Sequence, residues 1–378
     1  MAKKRISVLG ATGSIGKNAL DVIRAGRDLF EPVLFSANSN AAALFALAAE
    51  FPNAKIAFSG RRAAAEAAGF DKRDGVYFER AGLLAAIAGV EADITLNGIS
   101  GAAGLEPSLS ALTSGSALAL ANKESMVMAG ALVLKTAEQH SLPVIPVDSE
   151  HSAIFNLLRR QGKEGLKEAV LTASGGPFRT WSMDQLKNAS PKDAFAHPTW
   201  NMGAKITIDS ASLANKGLEV IEAARFFDLD ADSIKVVIHP QSIVHSMIRM
   251  NNGAVYAQLS RPDMRLPIYD ALCYPEIAPR QIEELDFDNL SLSFEKPCFE
   301  RFPMLALAYD ALRAGGRCAI AYNAANECAV SAFLAGKIPF TGISDVCSRV
   351  LSMDWSGEAG DLNSILESDS KARAAAGL

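Results

Sequence analysis

Two acidic side chains flank Ser149 in the stretch Pro146-Val147-Asp148-Ser149-Glu150. The stretch follows the β-rich run Pro143-Val144-Ile145, and in an extended strand residues two apart project from one face. Asp148 and Glu150 would then aim both carboxylates at one point, which is half of a site for a divalent cation. The competing reading is a strand end at which Asp148 or Ser149 caps a helix suggested by Ser152-Ala153-Ile154-Phe155-Asn156-Leu157-Leu158. Polar residues at strand ends are common, so these five residues alone favour the cap. A further carboxylate stands in Asn215-Lys216-Gly217-Leu218-Glu219. There Leu218, Ile221 and Phe226 form one apolar helix face and leave another on which Asn215, Lys216 and Glu219 fall three or four apart. That face offers an amide, an ammonium and a carboxylate. Its plain alternative is a surface ion pair between Lys216 and Glu219, worth about 0.2–0.5 kcal/mol. Ser210 and Ser212 just upstream suggest a hydroxyl-rich anion pocket. Ser174-Gly175-Gly176-Pro177 could expose consecutive N–H groups to an anion, although an ordinary Gly-Pro turn reads the same way.

The elements that must position these groups begin with a strand over residues 6–9, the turn Gly10-Ala11-Thr12-Gly13-Ser14-Ile15-Gly16, and a helix carried by Ala19, Leu20 and Ile23. Strand, glycine turn and helix in that order let the backbone approach a pyrophosphate at a helix N-terminus. The spacing is G-x-x-G-x-x-G, a departure from the commoner G-x-G-x-x-G, so its place at the first βα turn carries the reading. A second strand over residues 32–35 leads into Ser36-Ala37-Asn38-Ser39-Asn40, where an NAD enzyme usually places an acid on the ribose 2′-hydroxyl. No acid stands there, which leans toward NADP. No base stands there either, so Arg61 or Arg62 would reach a 2′-phosphate only if the fold returned them. Alternation continues through helix 41–50, strand 55–58, helices near 61–68 and 79–87, and strands 93–96 and 117–120, and implies a doubly wound parallel sheet. The last two strands end in Asn97-Gly98-Ile99-Ser100-Gly101 and Ala121-Asn122-Lys123-Glu124-Ser125, at the strand ends where ligands of such sheets collect. Lys123 opens the helix over 125–139, where a cation opposes the helix dipole; that favours a functional lysine over a solvated one. A sixth strand delivers Asp148 and Glu150.

Beyond Glu150 the expected elements are a strand over 169–172, the loop His197-Pro198-Thr199-Trp200-Asn201-Met202-Gly203, and a mixed sheet running to Leu259 that includes His239 and His245. An aromatic and a thioether on such a loop suit closure over a ligand, although Trp200 could equally be a packing residue. Both histidines are left unassigned, and the half-buried sheet could stack on a second subunit. Residues 274–303 turn proline- and acid-rich as a linker would. Helices over 305–314, 319–335 and 344–353 follow, with a frayed tail over 368–378.

The chain has 378 residues, 49% of them hydrophobic, with a formal net charge of −5 and a sequence pI of about 5.7. That length exceeds what one core usually organises, and the charge argues against general nucleic-acid binding. Cys273, Cys298, Cys318, Cys328 and Cys347 are odd in number and lack a CxxC pair, so they read as reduced, mostly structural thiols. Lys3-Lys4-Arg5 is followed at once by a strand and a glycine loop, without the h-region of a signal peptide, and no apolar run is long enough to span a membrane. A cytoplasmic protein with small-molecule ligands is expected.

Along essentially its whole length the sequence resembles the 1-deoxy-D-xylulose 5-phosphate reductoisomerase family. The motifs that carry the resemblance are Gly10-Ala11-Thr12-Gly13-Ser14-Ile15-Gly16, Ala121-Asn122-Lys123-Glu124, Val147-Asp148-Ser149-Glu150, Ser174-Gly175-Gly176-Pro177-Phe178, His197-Pro198-Thr199-Trp200 and Asn215-Lys216-Gly217-Leu218-Glu219. The resemblance implies an NADPH-dependent, Mg²⁺- or Mn²⁺-dependent enzyme. It would rearrange its sugar phosphate by retro-aldol and aldol steps and reduce the product to 2-C-methyl-D-erythritol 4-phosphate. It makes Asp148, Glu150 and Glu219 metal ligands, an oxygen-only set that suits a hard cation. It brings Lys123 beside the reacting carbons and Ser149, Glu150, Ser174, His197, Ser210, Asn215, Lys216 and Glu219 on the substrate, with Trp200 and Met202 as the lid. Catalytic roles fall to Lys123, Asp148, Glu150, Glu219 and His197. NADPH would be held by Thr12, Gly13, Ser14, Ile15, Asn122, Glu124 and Gly203, and by Ala37, Asn38 and Ser39, where this sequence departs from the family's usual glycine and basic or small residue.

The expected architecture is α/β: an N-terminal Rossmann-like domain over 1–147, a central catalytic and dimerisation domain with a mixed sheet over 148–276, a linker over 277–300 and an all-α domain over 301–378. A homodimer is implied. Two other readings compete, a metal-dependent NADP dehydrogenase of another hydroxylated phosphate without rearrangement, and a non-catalytic Rossmann nucleotide sensor.

Overall fold

In the first unit of the chain, seven parallel strands line up in the order β4-β3-β2-β1-β5-β6-β7. They are β1 (Lys4–Leu9), β2 (Phe30–Ala37), β3 (Lys55–Phe58), β4 (Val76–Phe78), β5 (Ile94–Asn97), β6 (Ala117–Leu120) and β7 (Val144–Pro146). The computed structural model describes residues 2–67, 69, 75–195, 203–277 and 282–378. Strands β5 and β6 are buried throughout because helices cover both faces of a parallel sheet, and their near-continuous apolar composition follows from that. The crossover helices are α1 (Ser14–Ala25), α2 (Ala41–Glu50), α3 (Arg62–Ala67), α4 (Glu79–Ala88), α5 (Leu105–Thr113) and α6 (Lys123–Gln139).

Strand order reverses at β1, which lies between β2 and β5, so the turns after β1 and β5 open side by side at the topological switch point. The Gly98 amide donates to the Leu9 carbonyl at 2.9 Å, and a Cβ on Gly10 would lie 2.8 Å from the Gly98 carbonyl oxygen. Gly10 also adopts φ +78°, a conformation that side chains with a Cβ avoid. At Gly16, inside the first turn of α1, a Cβ would come within 2.4 Å of the Gly10 carbonyl oxygen. Because that obstacle is backbone, Gly16→Ala is expected to destabilise by about 1–3 kcal/mol or more. A lowered midpoint of thermal unfolding checks this; an unchanged midpoint would mean the turn is less tightly packed than described.

The second unit is built on a mixed sheet of order β11-β10-β8-β9, made of β8 (Leu166–Ala173), β9 (Ile234–Ile238), β10 (Val244–Met250) and β11 (Val255–Leu259). β8 and β9 are parallel, and β10 runs antiparallel to both β8 and β11. The helices up to β9 are α7 (Ser149–Gln161), α8 (Met183–Lys187), α9 (Pro191–Ala194), α10 (Ala204–Ala211) and α11 (Ala214–Phe227). After β11 come α12 (Arg265–Cys273), α13 (Pro303–Ala314), α14 (Cys318–Leu334), α15 (Gly342–Leu351) and α16 (Leu362–Ala376). The first unit comprises Met1–Ser125, Val133–Asp148 and Asp263–Ile282, and the second Met126–Leu132, Ser149–Pro262 and Glu283–Leu378.

Helix α11 is the buried spine of the second unit. It packs against α7, α10, α13 and α14 and against β8 and β9. At Gly217 a Cβ would meet Tyr322 Oη at 2.6 Å and Ala308 Cβ at 2.7 Å, so glycine is what lets α11 approach α13 and α14. Tyr322 is fully buried and donates to the Met304 carbonyl at 3.1 Å, which meets the need of a buried hydroxyl for a partner.

Three expectations need correcting, and one alternative falls away. Strand β4 is an additional strand of only three residues, too short to register as a periodic pattern, so β7 rather than a sixth strand leads to Asp148. Glu150 is not on a strand: α7 begins at Ser149, and Glu150 stands in its first turn. The tail is not frayed, because α16 is capped by Asp361 and buries Ile365, Ser368, Asp369, Ala372 and Ala376. The face with Lys216 and Glu219 is no solvated surface, since those residues are 4% and 1% exposed. All five cysteines are free thiols, and burial pushes Cys273 up to about 11 and Cys347 well above the usual thiol range. Among the described residues no helix is long and apolar enough to cross a membrane.

Candidate active site

The carboxyl ends of β5 and β6 are held by a buried polar network. Asn122 caps α6, its side-chain oxygen accepting from the Ser125 amide at 2.9 Å. Its amide group donates to the carbonyls of Ile99 and Gly101 at 2.7 and 2.9 Å and to Glu124 Oε2 at 2.9 Å. Asn97 at the end of β5 donates to the Gly104 carbonyl and to Ser108 Oγ at 2.8 and 2.7 Å. Loop 98–104 is thereby fixed beside Gly10 and Ile15, whose Cγ2 lies 3.1 Å from the position a Gly98 Cβ would take. Gly13 precedes α1 with extended φ/ψ and Ser14 is the first residue of that helix, so Thr12, Gly13, Ser14 and Ile15 surround its free N–H groups. The turn is a cradle of the kind a pyrophosphate requires: a Cβ at Gly10 or Gly16 would strike backbone. Ala37 ends β2, and Asn38 and Ser39 follow it, exposed.

Lys123 occupies the first turn of α6 and is 7% exposed. A buried ammonium at a helix N-terminus needs a compensating anion, and Lys123 Nζ lies 3.0 Å from Asp148 Oδ2. Asp148 immediately precedes α7. In the first turn of that helix the Ser149 hydroxyl donates to Glu150 Oε2 at 2.6 Å. Glu150 Oε1 lies 3.4 Å from Lys216 Nζ, and the same ammonium is in ion-pair contact with Glu219 Oε2. The Asn215 amide donates to the other Glu219 oxygen. One carboxylate oxygen from each of Asp148, Glu150 and Glu219 lies within 4.8 Å of the other two, a spacing one cation can span. The donor set is all hard oxygen, which fits Mg²⁺ or Mn²⁺ and not a thiolate- or imidazole-seeking metal.

The Ser174-Gly175-Gly176 turn packs against the end of α10. Gly175 and Gly176 have φ of +86° and +70°, and the Gly176 amide donates to Ser174 Oγ at 3.2 Å. A Cβ on Gly176 would be 2.5 Å from the Ser210 carbonyl oxygen, so the Ser174 turn rests directly on the end of α10. Leu213, at φ +59°, turns the chain from α10 into α11, which starts at Ala214 and carries Asn215 and Lys216 in its first turn. Of the two serines flagged in this segment, Ser212 donates to the Ile208 and Asp209 carbonyls at 3.0 and 3.3 Å, which gives it a structural use. His197, Trp200 and Met202 lie outside the described residues; Gly203 is the residue before α10.

Sequence reasoning missed His151 and Glu222, both buried. His151 Nε2 is 2.9 Å from the Glu219 carbonyl oxygen, and Nδ1 is 3.6 Å from Glu222 Oε2. A carbonyl accepts only, so Nε2 carries the proton and the ring ties α7 to the backbone of α11. No signal marks this in the sequence except that His151 follows Glu150. His239 and His245 are structural: the first spans the Ser293 carbonyl and the amides of Ile243 and Val244, and the second bonds Ser260 Oγ at 2.8 Å.

Three family models match the chain: 1-deoxy-D-xylulose 5-phosphate reductoisomerase over residues 6–130, the C-terminal domain of that enzyme over 144–227, and the DXP reductoisomerase C-terminal domain over 259–375. The chain belongs to the 1-deoxy-D-xylulose 5-phosphate reductoisomerase family. A reductoisomerase of this name from Treponema denticola is 44% identical over 377 residues, covering 100% of this chain and 97% of its own. One from Chlorobium phaeobacteroides is 45% identical, covering 98% and 97%. A DOX-P reductoisomerase crystallised with NADPH, fosmidomycin and magnesium superposes with a TM-score of 0.90 at 40% identity, covering 99% of this chain and 97% of that one. The Zymomonas mobilis reductoisomerase in complex with NADPH matches with a TM-score of 0.90 at 38% identity, covering 99% and 98%. The chain is thus an oxidoreductase and isomerase of the reductoisomerase family, and the expected α/β architecture with a helical C-terminal part holds.

Proposed function

We propose that this chain rearranges 1-deoxy-D-xylulose 5-phosphate and reduces the product with NADPH at a site centred on Asp148, Glu150 and Glu219, which hold Mg²⁺ or Mn²⁺. The observation that carries the assignment is the gathering of these carboxylates with Lys216 packed against two of them. When bound, the divalent cation supplies Lewis-acid stabilisation of the charge that develops on the substrate's vicinal oxygens as C3–C4 breaks and the skeleton re-forms. The chain's own groups do the rest. Ser174, Ser210, Asn215 and Lys216 bind the phosphate, and that grip keeps the cleaved fragments in register for recombination. Ser149 orients a substrate hydroxyl beside Glu150, and Lys123 contributes positive charge next to the reacting carbons. Thr12, Gly13, Ser14 and Ile15 receive the NADPH diphosphate, with Asn122 and Glu124 bracing the neighbouring loop and Ala37, Asn38 and Ser39 at the adenosine ribose. By similarity to the family, Gly203 joins the NADPH contacts, His197 contacts the substrate, and Trp200 and Met202 form the lid.

The same reading takes residues 1–147 as the nucleotide domain, 148–276 as the catalytic one apart from α12, which groups with the first unit, 277–300 as a linker and 301–378 as a helical domain. It includes a homodimer, supported by the exposed Val255 and Tyr256 on β11, the edge strand of the second sheet. It also includes a cytoplasmic setting, supported by five free cysteines. The test is NADPH absorbance with 1-deoxy-D-xylulose 5-phosphate, with and without MgCl₂ or MnCl₂. Metal-dependent oxidation and a branched-carbon product by NMR are expected. Oxidation with an unbranched product would favour a simple dehydrogenase, and no oxidation by folded protein would sink the assignment.

A further inference from the structure

In a doubly wound sheet, discrimination at the adenosine ribose is made just after β2, by an acid for a free 2′-hydroxyl or by a nearby arginine for a 2′-phosphate. In this chain Ser36-Ala37-Asn38-Ser39-Asn40 supplies neither. The fold brings another segment to that point. β2 and β3 are parallel with Ala37 opposite Phe58, and the Ser59 amide donates to the Ala37 carbonyl at 2.9 Å. The Asn38 amide group donates to Ser59 Oγ at 3.3 Å, and a Cβ on Gly60 would sit 1.9 Å from the Asn38 carbonyl oxygen. The Ser59-Gly60 turn is therefore pressed onto the residues that follow β2, and Gly60 is required for that approach. The next residue is Arg61.

The glycine loop joins the same corner. The Gly10 amide donates to Ser36 Oγ at 3.1 Å and the Ala11 amide to the Ser36 carbonyl at 2.7 Å. Of the nearby guanidinium groups, Arg62 is engaged by Glu66 at 3.0 Å and lies over the Phe78 ring at 5.0 Å. Arg24 and Arg27 pair with Glu50 at the far end of α2. Arg61 is exposed, and among the described residues it has no ion-pair partner. Guanidinium suits this task because its planar donors match phosphate oxygens two at a time.

Building on the NADPH assignment above, we propose that Arg61, delivered by the β3–α3 turn, binds the 2′-phosphate and selects NADPH over NADH in place of the base missing after β2. The test is calorimetric binding of NADPH, NADH, adenosine 2′-monophosphate and adenosine 5′-monophosphate to the full chain, without substrate or turnover. Arg61→Ala should weaken NADPH and adenosine 2′-monophosphate roughly 10- to 100-fold, the loss expected for a charge-assisted contact, and leave NADH within about twofold. Arg61→Lys should recover part of the loss because the charge remains, and Arg62→Ala should leave the preference intact. Parallel weakening of NADPH and NADH, no change in Arg61→Ala, or a wild-type chain that binds both equally would overturn the proposal. Failure of the enzymatic assay above would not touch these results, since none of them needs turnover.

Discussion

Glu219→Gln is expected to lower kcat by at least about 10³-fold, the loss that several kcal/mol of Lewis-acid stabilisation implies. Glutamine keeps the volume and still accepts from the Asn215 amide, which already contacts one Glu219 oxygen. What it removes is the negative charge on a side chain that is 1% exposed, and with it the third anionic donor proposed for the cation. The proposed dinucleotide cradle, around Gly10, Gly13 and Gly16, belongs to the other unit of the chain, so the dissociation constant for NADPH should stay within about twofold. Steady-state kinetics with saturating magnesium, alongside calorimetric NADPH binding, decide the matter. Loss of NADPH binding together with turnover would contradict separate metal and nucleotide sites.

Lys216→Met should act on stability as well as on substrate. Lys216 is 4% exposed, and its ammonium contacts Glu150 and Glu219. Deleting one partner of a buried ionic cluster leaves carboxylate charge that the interior cannot solvate, a destabilisation of about 3–5 kcal/mol. Added magnesium should restore a good part of it, because a cation bound only by the folded chain stabilises that state by mass action. The measurement is a urea midpoint with and without MgCl₂. A midpoint equal to wild type in the absence of metal would show that Lys216 does not neutralise the cluster. In the presence of metal the variant should retain a raised KM for the phosphorylated substrate, since the proposed phosphate contact stays missing.

Much of this was legible beforehand, for identifiable reasons. The parallel sheet was readable because its strands are buried on both faces and stand out as short apolar runs between helices. Asp148 and Glu150 were found as a pair, but for a mistaken cause: they share a point because a helix starts at Ser149, and strand alternation has no part in it. Helix α12 was read within the central stretch, whereas it packs against α1, β6 and β7 of the first unit, with Tyr269 edge-on to Phe30 at 6.0 Å. Nothing local in residues 265–273 states where they will dock. Helix α16 was missed because its polar composition reads as a tail, while one face of Ile365, Ala372 and Ala376 is buried. The bond from His151 to the Glu219 carbonyl joins residues far apart in sequence, and such a pairing exists only once α7 and α11 are packed together.

The lysines have a consequence for how a cation enters. Each carboxylate proposed as a metal ligand already faces an ammonium: Asp148 faces Lys123, and Glu150 and Glu219 face Lys216. Metal uptake is then an exchange of counter-ions, not the filling of a bare anionic hole, and its apparent affinity is lowered by the strength of the ion pairs it must loosen. Lysines released in that exchange are the ones assigned to the sugar phosphate. Loading of cation and substrate should therefore be mutually reinforcing, and by thermodynamic reciprocity the factor by which magnesium tightens the phosphate must equal the factor by which the phosphate tightens magnesium.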